Sequence, residues 1–254
     1  MLEGQNILVL GTECQYAATD CRHCGMAEKE HGFHNICERA DLRMIGARFT
    51  PFGVENLAAL GLSIGCAYSY QTERCRWFDS HTLEHFMSQC VQAQPLLVSF
   101  NGLAHDFPLM RELLRTQAAL VRLSDGPGAG ARTLDHAADH AGALMVLCEV
   151  FQALCATSYD LLAEILKTDP QNKGVHGLNS LDAICQASGL AVQLSDGAQA
   201  QRDWRAGRYA AVNNHCRDNV YKTKALLEMV CEGKPLLRGD GKSIILPKPT
   251  LSVF

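Results

Sequence analysis

Two groups of residues in this chain have types and spacings suited to chemistry. The first lies in "TDCRHCGMAEKEHGFHNICERADL", where Cys21-x2-Cys24 is followed after nine residues by His34-x2-Cys37, with His31 as an alternate to His34. Paired thiolate and imidazole ligands are what a structural Zn2+ needs for tetrahedral coordination, each pair supplying one edge of the tetrahedron from a tight turn. A chance grouping of thiols in a cysteine-rich chain is the competing reading. Four ligands in a polar stretch with little else to fold it favour zinc. The second group is acidic. "LVLGTECQ" (8–15) reads as a buried strand running out into a polar turn that carries Glu13, with Gly11 where a second carboxylate would complete a metal site. "LVSFNGLAHDFPLM" places Asn101-Gly102 and Asp106 just beyond another strand, where the sheet fixes the backbone and the carboxylate points into a cleft.

The elements that must position these residues follow from hydrophobic periodicity. "NILVLG" (6–11), "LGLSIGCAYSY" (60–70), "RCRWF" (74–78) and "PLLVSF" (95–100) are apolar or alternating runs suited to strands. "DSHTLEHFMSQCVQA" has an Asp/Ser start and apolar spacings of three and four, which predicts a helix. "FPLMRELLRTQAALV" is a second helix, opening with Pro108 where a missing N–H costs little. "DGPGAGA" (125–131) is a break, and "RTLDHAADHAGALMVLCEVFQALC" is helical, with an apolar second half that either packs on the core or meets another protein. From "SYDLLAEIL" onward the reading is helices joined by short turns, ending in a hairpin that turns at Asp240-Gly241.

Composition sets bounds on the class of protein. A chain of 254 residues with 47% hydrophobic content is one large domain able to fill a core. Mean hydropathy is −0.05, and with no apolar run near twenty residues no membrane span is expected. The start "MLEGQNILVL" lacks the features of a signal peptide, and twelve cysteines in a core-forming chain of this length fit a reducing, cytoplasmic setting with buried or metal-bound thiols. A net charge of −4 makes any nucleic-acid contact local and weak without a partner. Antiparallel strands, then a strand–helix crossover, then a helical half, are compatible with a ribonuclease H-like α/β fold, a mixed sheet flanked by helices spanning 1–254, and periodicity alone fits several other mixed folds as well.

Five collinear blocks resemble the DEDD (DnaQ-like) 3′-5′ exonucleases, specifically the bacterial group related to polymerase proofreading domains. "GTECQ" is similar to that family's D-x-E-T-Q and "SFNGLAHDFPLM" to F-N-x-x-x-F-D-x-x-x-L. "SYDLLAEIL" is similar to F-D-I-L, "LNSLDAICQASGL" to V-S-L-D-A-L-A-x-A, and "DWRAGRYAAVNNHCRDNVYKTKALLE" to W-R-x-G…Y-C-R-x-D-V-x-x-T-x-x-L. The blocks cover about 160 residues, far more than a single motif, and against the family the chain carries a small zinc-binding Cys/His-rich insertion at 17–48 and an extra helical segment at 115–157.

The resemblance implies four carboxylates around two Mg2+ or Mn2+ ions about 4 Å apart, with a Tyr or His orienting the attacking water. Carried onto this chain, the first Asp falls on Gly11, the Glu is Glu13, the second Asp is Asp106, the Tyr falls on His215 and the last Asp on Asn219. Two of the four acidic ligands are absent, and a hard cation that depends on charged oxygens loses its site. Asp218 is a conceivable substitute for Asn219, but neighbours on a helix diverge by about 100°. The expectation is a catalytically inactive member that binds single-stranded nucleic acid, with a protein partner or self-association through the 133–156 helix. A metal-dependent exonuclease using Asp218, and an active enzyme carrying deliberate substitutions at Gly11 and Asn219, are the alternatives. Asn101, Arg205, Arg208, Lys222 and Lys224 are expected along the strand-binding groove, although scattered basic residues on helices are usually solvated faces. Asp160 and Asp182 are expected to cap the helices they begin.

If the Cys/His cluster binds zinc, the purified protein contains about one zinc per chain. Elemental analysis should lose that metal when Cys21 and Cys24 are both replaced by Ser; full zinc retention in the double variant would remove the site.

Overall fold

Alternating side chains give the central strands two apolar faces, so helices cover both sides of the sheet. The computed structural model describes residues 2–16, 57–124, 131–168, 177–191 and 199–250. The insertion bearing Cys21, Cys24, His31, His34 and Cys37 lies outside them. Strands β1 (Ile7–Cys14), β2 (Leu62–Ser69), β3 (Arg74–Phe78), β4 (Leu96–Ser99) and β5 (Tyr159–Asp160) form one mixed sheet in the order β3-β2-β1-β4-β5. β1 is antiparallel to β2, and β2 to β3; β4 runs parallel to β1, and β5 to β4. The crossover from β3 to β4 is α2 (Leu83–Ala93), as its apolar spacing predicts. β5, only two residues long, is too short for a period-two pattern to reveal it.

Odd and even residues of β1 feed different cores. Leu10 and Cys14 join Ala67, Phe78 and Leu97 beneath α2, α3 (Asp106–Ser124) and α4 (Ala131–Ala156). Ile7 and Val9 join Cys66, Tyr68 and Val98 beneath α5 (Leu161–Thr168), α6 (Leu181–Ala187) and α8 (Tyr209–Cys231). Gly65 allows the Phe78 ring to lie across β2, since a Cβ there would come within 2.1 Å of it. The ring then stacks on Phe86 at 3.9 Å. α1 (Leu57–Leu60) precedes β2, α7 (Gln199–Arg205) precedes α8, and β6 (Leu236–Leu237) pairs antiparallel with β7 (Ser243–Ile244) around a turn in which Gly241 has φ 82°, as the Asp-Gly pair predicts.

The extra segment 115–157 comprises the end of α3 and all of α4. Against expectation, Ala138–Ala156 is by length and composition apolar enough to cross a membrane; 33% of that window is buried in the domain. Glu13 also departs from expectation in its local setting, because β1 continues through Cys14 and the carboxylate belongs to the strand itself.

Asp160 both caps α5 and holds the loop after β4. It is 2% exposed and accepts hydrogen bonds from the backbone N–H groups of Ala163, Asn101 and Leu103 and from the Ser99 hydroxyl. Asn101 takes the left-handed conformation, φ 72°, as the loop turns around this carboxylate. Asp160→Ala would strand these donors in the interior. It should lower the unfolding free energy by about 3 kcal/mol in urea denaturation, with Asp160→Asn losing less; an unchanged midpoint for the alanine variant would refute this role.

Candidate functional site

β1 points Gly11 and Glu13 toward α8, and Thr12 and Cys14 toward α3 and α4, through the period-two alternation of a strand. On the α8 side, Glu13 is buried, and its Oε1 lies 3.0 Å from His215 Nδ1 and 3.0 Å from Asn219 Nδ2. His215 and Asn219 are four residues apart and therefore on one face of α8. A carboxylate oxygen only accepts here, so Nδ1 of His215 carries the proton. That hydrogen bond, outweighing the opposing effect of burial, raises the His215 pKa above its ordinary 6.5. His215 Nε2 is buried and has no hydrogen-bond partner among the described residues. Cys216 donates its S–H to the Gly11 carbonyl at 3.5 Å, and a Cβ built on Gly11 would meet only Val220 Cγ2, at an ordinary 3.5 Å.

The second carboxylate has hydrogen-bond partners of its own. Asp106, the first residue of α3, accepts a 2.7 Å hydrogen bond from Thr12 and a 3.0 Å one from His105 Nδ1. His105 Nε2 lies 3.6 Å from Cys14 Sγ, so the imidazole bridges α3 and β1. The bond to Asp106 first, and the contact with Cys14 second, overcome burial and push the His105 pKa up to about 10.

Glu13, His215 and Asn219 thus form one hydrogen-bonded cluster, with Gly11 two residues back on the same face of β1, while Asp106 bonds to Thr12 and His105 and shares with Glu13 the nearby Cys216 thiol, whose pKa burial and both carboxylates raise. Asp218 stays outside both: its side chain is 42% exposed and its carboxylate lies 3.7 Å from Arg217, consistent with the divergence of helix neighbours. This donor set does not fit a pair of hard divalent cations. Such ions require several oxygen ligands. Here N–H groups of His215 and Asn219 are directed at Glu13, and Asp106 already accepts from a hydroxyl and an imidazole. No group of three or more His, Cys, Asp or Glu able to hold a metal occurs among the described residues.

The expected groove residues have varied settings. Asn101 is exposed, Arg205 is half-buried at the end of α7, and exposed Arg208 directs Nε and Nη2 to Asp203 at 2.9 and 2.6 Å. Burial works against ionisation of Asp203, yet its bonds from Arg208 and Gln199 hold the carboxyl below its usual range. Lys222 departs from a groove position: it is 5% exposed, with its ammonium paired to Asp182. Asp182 in turn is not the cap of α6, whose N-cap is Ser180, accepting from Ala183 N–H. A helix-surface charge at sequence level gives no sign of which neighbouring helix will cover it, and α6 covers this one. His105 and Thr12 escaped the sequence reading. The available signal was a His directly before Asp106, where the F-N-x-x-x-F-D pattern has Phe.

No protein-family model matches this chain, and no curated protein or solved structure shows significant similarity to it.

Because the folded pKa of His105 lies above 6.5, its pairing is fully stabilising below about pH 6.5 and is lost as pH rises through about 10. In an NMR titration the His105 midpoint should lie well above 6.5 and fall back toward it in Asp106→Asn. A midpoint near 6.5 in the unaltered protein would refute the pairing.

Proposed function

We propose that this chain is a ribonuclease H-like, 3′-5′ exonuclease-like protein that has lost two-metal hydrolysis and serves as a nucleic-acid-binding module, weak alone and working with a protein partner. One observation carries the reading. Of the positions that match the exonuclease motifs, Glu13 at one end of the chain and His215 and Asn219 some 200 residues later meet in one hydrogen-bonded cluster, with Gly11 two residues before Glu13 on the same face of the central strand. The sheet order and the mixed strand directions are compatible with the same fold. The chemistry of the cluster supports inactivity: the two missing acidic ligands are replaced by a glycine with no donor atom and by an amide whose N–H faces Glu13, one of the two carboxylates that remain. His215, with Nδ1–H on Glu13 and its pKa raised, keeps the orientation of a base, so the inactivity rests on the missing metal ligands and not on this residue. Zinc has a structural role in this reading, and Mg2+ or Mn2+ enters only where the acidic ligands are restored.

The test supplies 3′-labelled single strands of DNA and RNA with Mg2+ or Mn2+. The unmodified chain should give no processive end-digestion, and Gly11→Asp combined with Asn219→Asp should create it, the space at Gly11 admitting the new side chain's Cβ. Robust digestion by the unmodified chain, abolished by Glu13→Ala, would overturn the reading in favour of an active exonuclease.

A further inference from the structure

An aromatic row crosses the α8 face of the sheet at its open edge. β3 is the outermost strand, and Cys75 and Trp77 stand on the same face as their cross-strand partners Tyr68 and Cys66. Cys66 is in turn opposite Gly11. Trp77 thus lies in the cross-strand line of Gly11, two strands away, or about 10 Å at the usual strand spacing. It is 43% exposed. From α8 come Arg217 and Tyr221, one turn apart, with the Arg217 side chain 45% and Tyr221 44% exposed. The Tyr221 hydroxyl accepts the Cys75 S–H at 3.7 Å, and its ring lies 5.8 Å from Tyr68. Arg217 is near enough to Cys66 that its charge opposes the rise that burial and Cys75 impose on that thiol's pKa. Further along, Lys224 stands over the rings of Tyr68 and Tyr70 at 5.1 and 5.3 Å. The nearby acidic groups include Asp218, 3.7 Å from Arg217, Glu228, paired with Lys224, and Glu73, whose charge acts on Tyr68.

Exposed rings interleaved with cations suit unpaired bases and their phosphates, because the rings stack on any base and the cations meet the backbone. A purely apolar protein partner gains nothing from the guanidinium. We propose that Trp77, Tyr221 and Arg217 form a stacking platform for single-stranded nucleic acid, guiding a strand across the sheet edge toward Gly11 and Glu13. This deepens, and rests on, the nucleic-acid-binding reading above.

The chain has two tryptophans, Trp77 and Trp204, so stacking on Trp77 can be followed by fluorescence in Trp204→Phe. Oligothymidylate and oligouridylate of about 12 nucleotides should quench that emission. Trp77→Ala and, separately, Tyr221→Ala should weaken binding by about tenfold or more at low salt, with circular dichroism unchanged. Arg217→Gln should reduce the salt slope by about one. Absence of quenching, or wild-type affinity in both alanine variants, would overturn the platform while leaving nucleic-acid binding elsewhere on the chain intact. Absence of any binding by the unaltered protein at low salt would overturn both readings.

Discussion

A carboxylate buried in the central strand is the constraint around which this molecule is arranged. Removing an ionised carboxylate from water costs several kcal/mol unless donors replace the lost solvent. Glu13 receives those donors from His215 and Asn219, and α8 must therefore cross β1 with this one face inward. Gly11 presents no side chain to the crossing, so Val220 approaches the strand and Cys216 reaches the Gly11 carbonyl.

The same solution recurs at other junctions. Asp106 ties α3 to β1 through Thr12 and His105, Asp160 ties the loop after β4 to α5, and Asp182 ties α6 to α8 through buried Lys222. Each is a carboxylate with at least one partner remote in sequence. Such pairs are a weak source of net stability, because desolvation offsets the attraction, yet losing one partner leaves a charge buried alone. They fix which helix face meets which strand. The apolar cores on either side supply the driving force for burial.

The thiols divide along similar lines. The nine cysteines among the described residues are free, and seven of them are buried, where desolvation raises the pKa of Cys90, Cys155, Cys185 and Cys216. Thiols held protonated in this way are packing residues and not nucleophiles. Their chemistry contrasts with that expected of Cys21, Cys24 and Cys37, set in a polar sequence with histidines nearby.

By itself the sequence determined strands β1 to β4, the helices α2, α3 and α4, the terminal hairpin, and the acidic residues Glu13 and Asp106 near strand ends. Those features follow from local periodicity, turn chemistry and the fixed step of a strand or helix. The motif resemblance also brought Glu13, His215 and Asn219 into one expected site across 200 residues of chain. Only the tertiary structure decided what each group touches. Asp106 bonded to Thr12 and His105, Lys222 was drawn inside by Asp182, and β5 formed from two residues because β4 was there to pair with them. Trp77 acquired its significance in the same way, since a cross-strand row from Gly11 through Cys66 exists only once three strands are in register. Pairing partners depend on which faces meet in space, and no spacing within a single element encodes that.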